Sequence, residues 1–392
     1  MCYFKRKETM DIQDIAIIGG GIIGGAIAYQ LSRYDVKIIT FEKNPVLAGE
    51  TSTGNSGALH GGFDPEPHKI EAKLNVLGVQ IWKEQIFKHL KFNRAKIPTI
   101  VLAFNDEEVK HLHMLYERGM TNKVPKEFLS IIDKDEIIKL EPNVNKDVVK
   151  ALVYWDSYAI DPVQATHAFF AAATNNGLTI KKNSLVTGIK DHGDYFEITV
   201  NGSEKYYAKT IINAAGHYAD VIAEKAGYPD FKQTTRRGEY RILARSEAGV
   251  VRNILFMVPT IHGKGVLVAP TLDGHVLVGP TAEEGVAKED TRLITREKYD
   301  YIGAIGNKII PSLRLDKTSI SLSGSRPIDI ATNDFVINHA KANKRFINAA
   351  GMQSPALASA PAIALEIEKL VKNAGLELKQ KSGFKPDYEI FF

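Results

Sequence analysis

Six consecutive residues, Gly19-Gly20-Gly21-Ile22-Ile23-Gly24, constrain the fold more than any other stretch of this sequence. They follow a short apolar run, Ile15-Ala16-Ile17-Ile18, and open a segment, 22–33, that reads as a helix. Val36 to Phe41 then reads as a second strand, so the start of the chain predicts a βαβ unit with parallel strands. Within it Gly19 permits the tight turn, Gly21 lets backbone approach a pyrophosphate, and Gly24 lets helix and strand pack closely. The helix N-terminus, with its free N–H groups, favours the negative charge of phosphates. Glu42 ends the second strand, where a carboxylate accepts hydrogen bonds from a ribose diol. The pattern predicts a bound dinucleotide, and its spacing leaves FAD and NAD both open.

Further along, Glu50 to Gly57 is dense in hydroxyls and small residues and suits a long cofactor lying against it. Two other segments end in tiny residues: the apolar strand Thr210 to Gly216, and the turn Asn348 to Ala356, which leads into a helix over 355–373. Helical periodicity is also expected over 70–90 and over the polar stretch 107–140. Three β-like runs fill 184–213, with Asn201-Gly202 as a hairpin signal, and Asp273-Gly274 marks a second hairpin at 266–278. These antiparallel hairpins suggest a separate sheet on the substrate side.

A length of 392 residues suits two domains. The net charge of +4 is too small to argue for a nucleic-acid partner. The single cysteine, Cys2, allows no disulfide within the chain and no structural metal site, which fits a reducing cytoplasm. No signal peptide or transmembrane stretch is expected, and Met10 is a plausible start. Whether the protein touches a membrane surface, and its oligomeric state, stay open.

The order of these motifs resembles FAD-dependent oxidoreductases of the D-amino-acid-oxidase/glycerol-3-phosphate-dehydrogenase superfamily, and within it the short glycerol-3-phosphate oxidases of wall-less bacteria. The resemblance rests on Asn55-Ser56-Gly57 with His60, Asp64-Pro65, the runs Ala215–Asp220, Thr234–Gly238 and Pro259–Gly265, and Gly324–Asp329 with Thr332–Phe335. It covers nearly all of 14–370. It implies an α/β fold with a Rossmann-like FAD-binding domain and a second, mainly antiparallel-sheet (α+β) substrate domain. The expected division is 10–90, 151–220 and 322–380 for FAD, with 91–150 and 221–321 for substrate. It also implies non-covalent FAD held at Gly19, Gly21, Ile23, Gly24, Glu42, Thr51, Ser52, Ser56, Gly57, Ala58, Val186, Gly216, Met352, Gln353 and Ala358. Gln353 departs from the family pattern. The implied reaction oxidises sn-glycerol 3-phosphate to dihydroxyacetone phosphate and reduces O2 to H2O2.

Oxidising a secondary alcohol needs a base whose pKa lies near the working pH, which favours histidine. His60, just after the loop expected to face the flavin, is the candidate, and His262 the alternative. Arg326 offers a planar fork for an anion, unless it is a structural partner of Asp329. Lys264 could bind phosphate or stabilise superoxide. Ser56 and Ser354 could hydrogen-bond substrate, and Arg236 and Arg237 could add positive field. An oxidase or dehydrogenase of a small amino or 2-hydroxy acid, using Arg326 on a carboxylate, is the competing reading. An NAD-linked dehydrogenase and a flavin-binding protein without turnover are weaker ones.

Overall fold

The computed structural model describes residues 10–258 and 265–389. Two large sheets organise the chain. The first has eight strands. Its centre is parallel: Ile12–Ile18 (β1) lies between Ile38–Phe41 (β2) and Glu204–Asn213. The carboxyl half of Glu204–Asn213 pairs in parallel with Phe346–Ala350 on its other side. Thr179–Lys181 extends the sheet beyond β2.

Successive residues of β1 point to opposite faces, and both faces are covered. Ile15 and Ile17 enter one apolar core, Ala16 and Ile18 another. The helix Ile22–Leu31 (α1) is buried at nine of its ten residues. Such an all-round apolar helix must be sandwiched, and it packs against helices Pro162–Thr174 and Ala356–Asn373.

The second sheet has nine strands. Its backbone is the long antiparallel pair Gln233–Leu243 and Thr318–Asp329. The hairpin Leu267–Pro270 with Val276–Gly279 joins it as expected. Here too alternate residues feed two cores: Ile100 and Leu102 one, Val101 and Ala103 the other.

Several expectations need correction. The first hairpin region, Val186–Asp191 with Phe196–Val200, belongs to the eight-stranded sheet, because Phe196–Val200 pairs with the amino half of Glu204–Asn213. Residues 107–140 are not all helical: Leu129–Asp133 is a strand between helices Asp106–Thr121 and Lys134–Leu140. Its pairing with Lys150–Tyr154 supplies what local sequence could not. The helix Ile70–Ile81 passes at Trp82 into a five-residue π segment, with the Trp82 indole N–H donating to Leu357 O at 3.1 Å. The expected boundary at 151 falls inside the strand Lys150–Tyr154, and the one at 322 inside Thr318–Asp329; both are strands of the second sheet.

No helix among the described residues is long and apolar enough to cross a membrane.

Candidate active site

Parallel strands send their carboxyl ends to the same edge, and ligands of such sheets bind there. In this chain β1 delivers Gly19, β2 delivers Glu42, Glu204–Asn213 delivers Ala214 to Gly216, and Phe346–Ala350 leads into Gly351 and Met352. The small-residue turns picked out one by one in the sequence are therefore neighbours. They open onto a cavity of about 540 Å3 that continues between the sheets to His60 and Arg326. That size suits a small-molecule or cofactor site.

The glycine loop cannot carry side chains. A Cβ on Gly24 would lie 2.1 Å from Gly19 O, and one on Gly19 would lie 2.2 Å from Ala214 O at a φ of +123°. Gly21, in contrast, would meet only Ser52 Oγ at 3.1 Å, so its side toward the cavity is open. It begins α1 without a side-chain cap, and the first turn carries no acidic residue. The absence of an acidic side chain from the first turn leaves room there for a ligand phosphate. These features fit the pyrophosphate of an extended dinucleotide such as FAD.

Several expected contact groups already have duties. The Glu42 carboxylate accepts from Gly20 N at 2.7 Å and Asn44 N at 2.8 Å. Burial raises its pKa, while these two N–H groups pull it back. Each oxygen keeps a second lone pair for a ribose hydroxyl. Ser52 Oγ accepts from Ile22 N at 2.9 Å, and Thr51 Oγ1 donates to Ser325 O at 2.7 Å. Gln353 Nε2 donates to Asn333 O at 2.8 Å and lies 3.3 Å from Glu71 Oε2, which ties the turn after Gly351 to the surrounding loops.

Of the residues singled out, Gly19, Gly21, Ile23, Glu42, Thr51, Ser52, Ser56, Ala58, Val186, Gly216, Met352 and Gln353 line the cavity, as do His60, Arg326 and Ser354. Gly24, Gly57 and Ala358 do not. Gly24 serves the contact with Gly19 O. A Cβ on Gly57 would lie 2.2 Å from Ile160 O, and Ala358 O lies against Gly78, so both positions pack backbone against backbone. Lys264 and His262 lie outside the described residues.

Arg326 reaches the cavity from the long strand Thr318–Asp329. Its ladder pairs Gly238 with Gly324, flanked by Arg236 opposite Arg326 and Tyr240 opposite Leu322. These residues share one face by the two-residue period. The glycine pair leaves that face bare between Arg326 and Tyr240, and the Arg326 guanidinium sits beside the Tyr240 hydroxyl. The loop Glu50–Gly57 presses on the same bare patch: a Cβ on Gly324 would lie 1.8 Å from Gly54 O.

Burial holds the Arg326 guanidinium below its ordinary pKa and raises the Tyr240 phenol. Among the described residues Arg326 has no carboxylate partner. Asp329, the structural alternative, instead accepts from Thr332 N and Oγ1. Arg236 and Arg237 add no free positive field: Arg236 pairs with Glu284, and buried Arg237 with Glu239 and Glu283.

His60 lies at the same end of the cavity, its ring against Phe256 with centroids 5.8 Å apart. Asn75 Nδ2 donates to His60 O, fixing the backbone beneath the ring. Tyr240, Phe256 and Leu267 are cavity residues that no motif announced. His217, within the run Ala215–Asp220, also lines the cavity: Thr51 Oγ1 lies 3.1 Å from its Nε2, and burial pushes its pKa down to about 4, so the imidazole is neutral.

Known proteins place this geometry. A glycerol 3-phosphate oxidase of Mycoplasma genitalium is 45% identical over 384 residues, covering 97% of this chain and 99% of that protein. The FAD-bound, dithionite-reduced L-α-glycerophosphate oxidase of Mycoplasma pneumoniae superimposes with a TM-score of 0.94 at 44% identity, covering 98% of this chain and 100% of that one. Glycine oxidase from Geobacillus kaustophilus, at 18% identity and a TM-score of 0.81, shares the fold, with 95% of this chain and 99% of that one covered. Residues 14–370 match the DAO family of FAD-dependent oxidoreductases, and the chain belongs to that family.

Proposed function

We propose that this protein oxidises sn-glycerol 3-phosphate to dihydroxyacetone phosphate with FAD as its dissociable cofactor and dioxygen as the final electron acceptor, released as hydrogen peroxide. The observation that carries the reading is a half-buried guanidinium, Arg326, which has no carboxylate partner among the described residues and opens into the same cavity as His60. A desolvated cation with no protein carboxylate beside it favours an anionic ligand. The near-full-length identity to a glycerol 3-phosphate oxidase supports phosphate as that anion.

FAD, when bound, supplies the two-electron acceptor for the substrate's C–H hydride. The chain's residues do the rest. Arg326 grips the phosphate, with the Tyr240 hydroxyl steadying the guanidinium. His60 takes the proton of the secondary hydroxyl, held against the Phe256 ring. Ser56 and Ser354 line the space between and hydrogen-bond the substrate. Lys264 is assigned by sequence alone, to phosphate or to dioxygen.

Purified protein supplied with FAD is expected to release peroxide on addition of glycerol 3-phosphate and none with glycerol. Equal turnover of the two alcohols would remove the phosphate from the account.

A further inference from the structure

Behind His60 lies a second, smaller cavity of about 20 Å3. Phe63, Val101, Leu115 and Met257 form much of its wall, which is almost wholly apolar. His60, Phe256 and Gly265 line both cavities, and the His60 and Phe256 rings stand between them. The pocket is set in the apolar core between the nine-stranded sheet and helix Asp106–Thr121, which contributes Leu115.

Its volume is far too small for a dinucleotide or a glycerol phosphate and matches about one water-sized molecule. A buried water needs roughly two to four polar partners, and small apolar cavities that lack them stay dry. Asp64 also contributes to the wall, but it carries an interaction of its own. A non-polar diatomic gas needs no partners and partitions into such a space in preference to water.

We propose that this annex is a dioxygen site, holding the gas on the far side of the His60–Phe256 partition from the substrate. The inference rests on dioxygen being the acceptor. The alcohol gives up two electrons and two protons, and dioxygen takes two of each to leave as hydrogen peroxide. No bond forms or breaks in the annex. Its part is to bring gas to the reacting end without passage through a cavity filled by cofactor and substrate.

Two measurements on the FAD-loaded enzyme test this. Crystals pressurised with xenon should show an atom among Phe63, Val101 and Leu115. In stopped flow, Leu115→Phe, which fills the annex, should slow reoxidation by dioxygen about fivefold while leaving anaerobic reduction within about twofold. Should Leu115→Phe fail to take up FAD, Val101→Leu fills the space from the opposite wall and is judged by the same two rates. No xenon in the wild-type annex, or unchanged reoxidation in a folded filled variant, overturns the proposal. Reduction by dithionite keeps the oxygen rate readable even if glycerol 3-phosphate does not reduce the enzyme, so failure of the substrate reading is seen separately. A wild-type enzyme that dioxygen reoxidises no faster than free reduced flavin would instead overturn the acceptor reading and the annex with it.

Discussion

At one end of the cavity, residues 19–24 form the proposed phosphate site within a single turn, where the missing side chains of Gly19 and Gly24 allow close backbone contacts. At the other end, Tyr240, Phe256 and Arg326 come from three strands of the nine-stranded sheet, and His60 follows the short strand Ala58–Leu59 of a separate three-stranded sheet. The first region is made by local backbone geometry, the second by strand register. A cofactor site of the first kind survives many changes elsewhere, whereas the proposed substrate end depends on the long pair Gln233–Leu243 and Thr318–Asp329 and on the loop packed against it.

Changes confined to the second region should therefore spare FAD binding. The largest effect is expected for His60→Asn, which should keep FAD and slow anaerobic reduction by about 10²–10⁴-fold, the usual worth of a positioned base. Undiminished bleaching would take His60 out of the mechanism. Next, Arg326→Met should lower kcat/KM for glycerol 3-phosphate by about 10²-fold, as loss of a buried charge partner does. FAD content should not change, and a titration of both quantities separates the two ends directly.

Where the regions touch, the separation should fail. Gly324→Ala places a methyl group 1.8 Å from Gly54 O and forces backbone apart, at a cost of about 1–3 kcal/mol. It should lower Tm and weaken FAD retention and substrate affinity together; loss of one alone would mean that the contact does not couple them. The smallest effect near neutrality concerns His217, buried beneath the cofactor loop. Its folded pKa of about 4 lies below the ordinary 6.5, so its contribution to stability is complete above pH 6.5 and is lost as pH falls toward 4. Denaturant titrations across that window should show the wild type losing on the order of 2–3 kcal/mol from this group. His217→Gln should lack that part of the slope.

This contrast also explains what could be read in advance. Gly19 to Gly24, Glu42, the strand to Gly216 and the turn at Gly351 were legible because a backbone that must approach a ligand or another strand demands particular residues at fixed spacing. Arg326 and His60 stood out as chemistry-bearing residues within recognisable strings. Tyr240 and Phe256 did not, since an aromatic in a strand reads as core, and only the register opposite Leu322 and the contact with His60 turn them toward the cavity. Arg236 and Arg237 misled for the same reason: their carboxylate partners lie on strands and loops brought in by pairing. The strand Leu129–Asp133 was hidden inside a helical-looking stretch because its pairing partner, Lys150–Tyr154, supplies the preference that its own sequence lacks.

The most direct measurement is an anaerobic spectrum of the FAD-loaded protein mixed in turn with glycerol 3-phosphate, glycerol, 2-hydroxyglutarate and glycine. Glycerol 3-phosphate alone is expected to bleach the flavin band, with dihydroxyacetone phosphate formed in equal amount. Bleaching by a carboxylate substrate and none by glycerol 3-phosphate would contradict it.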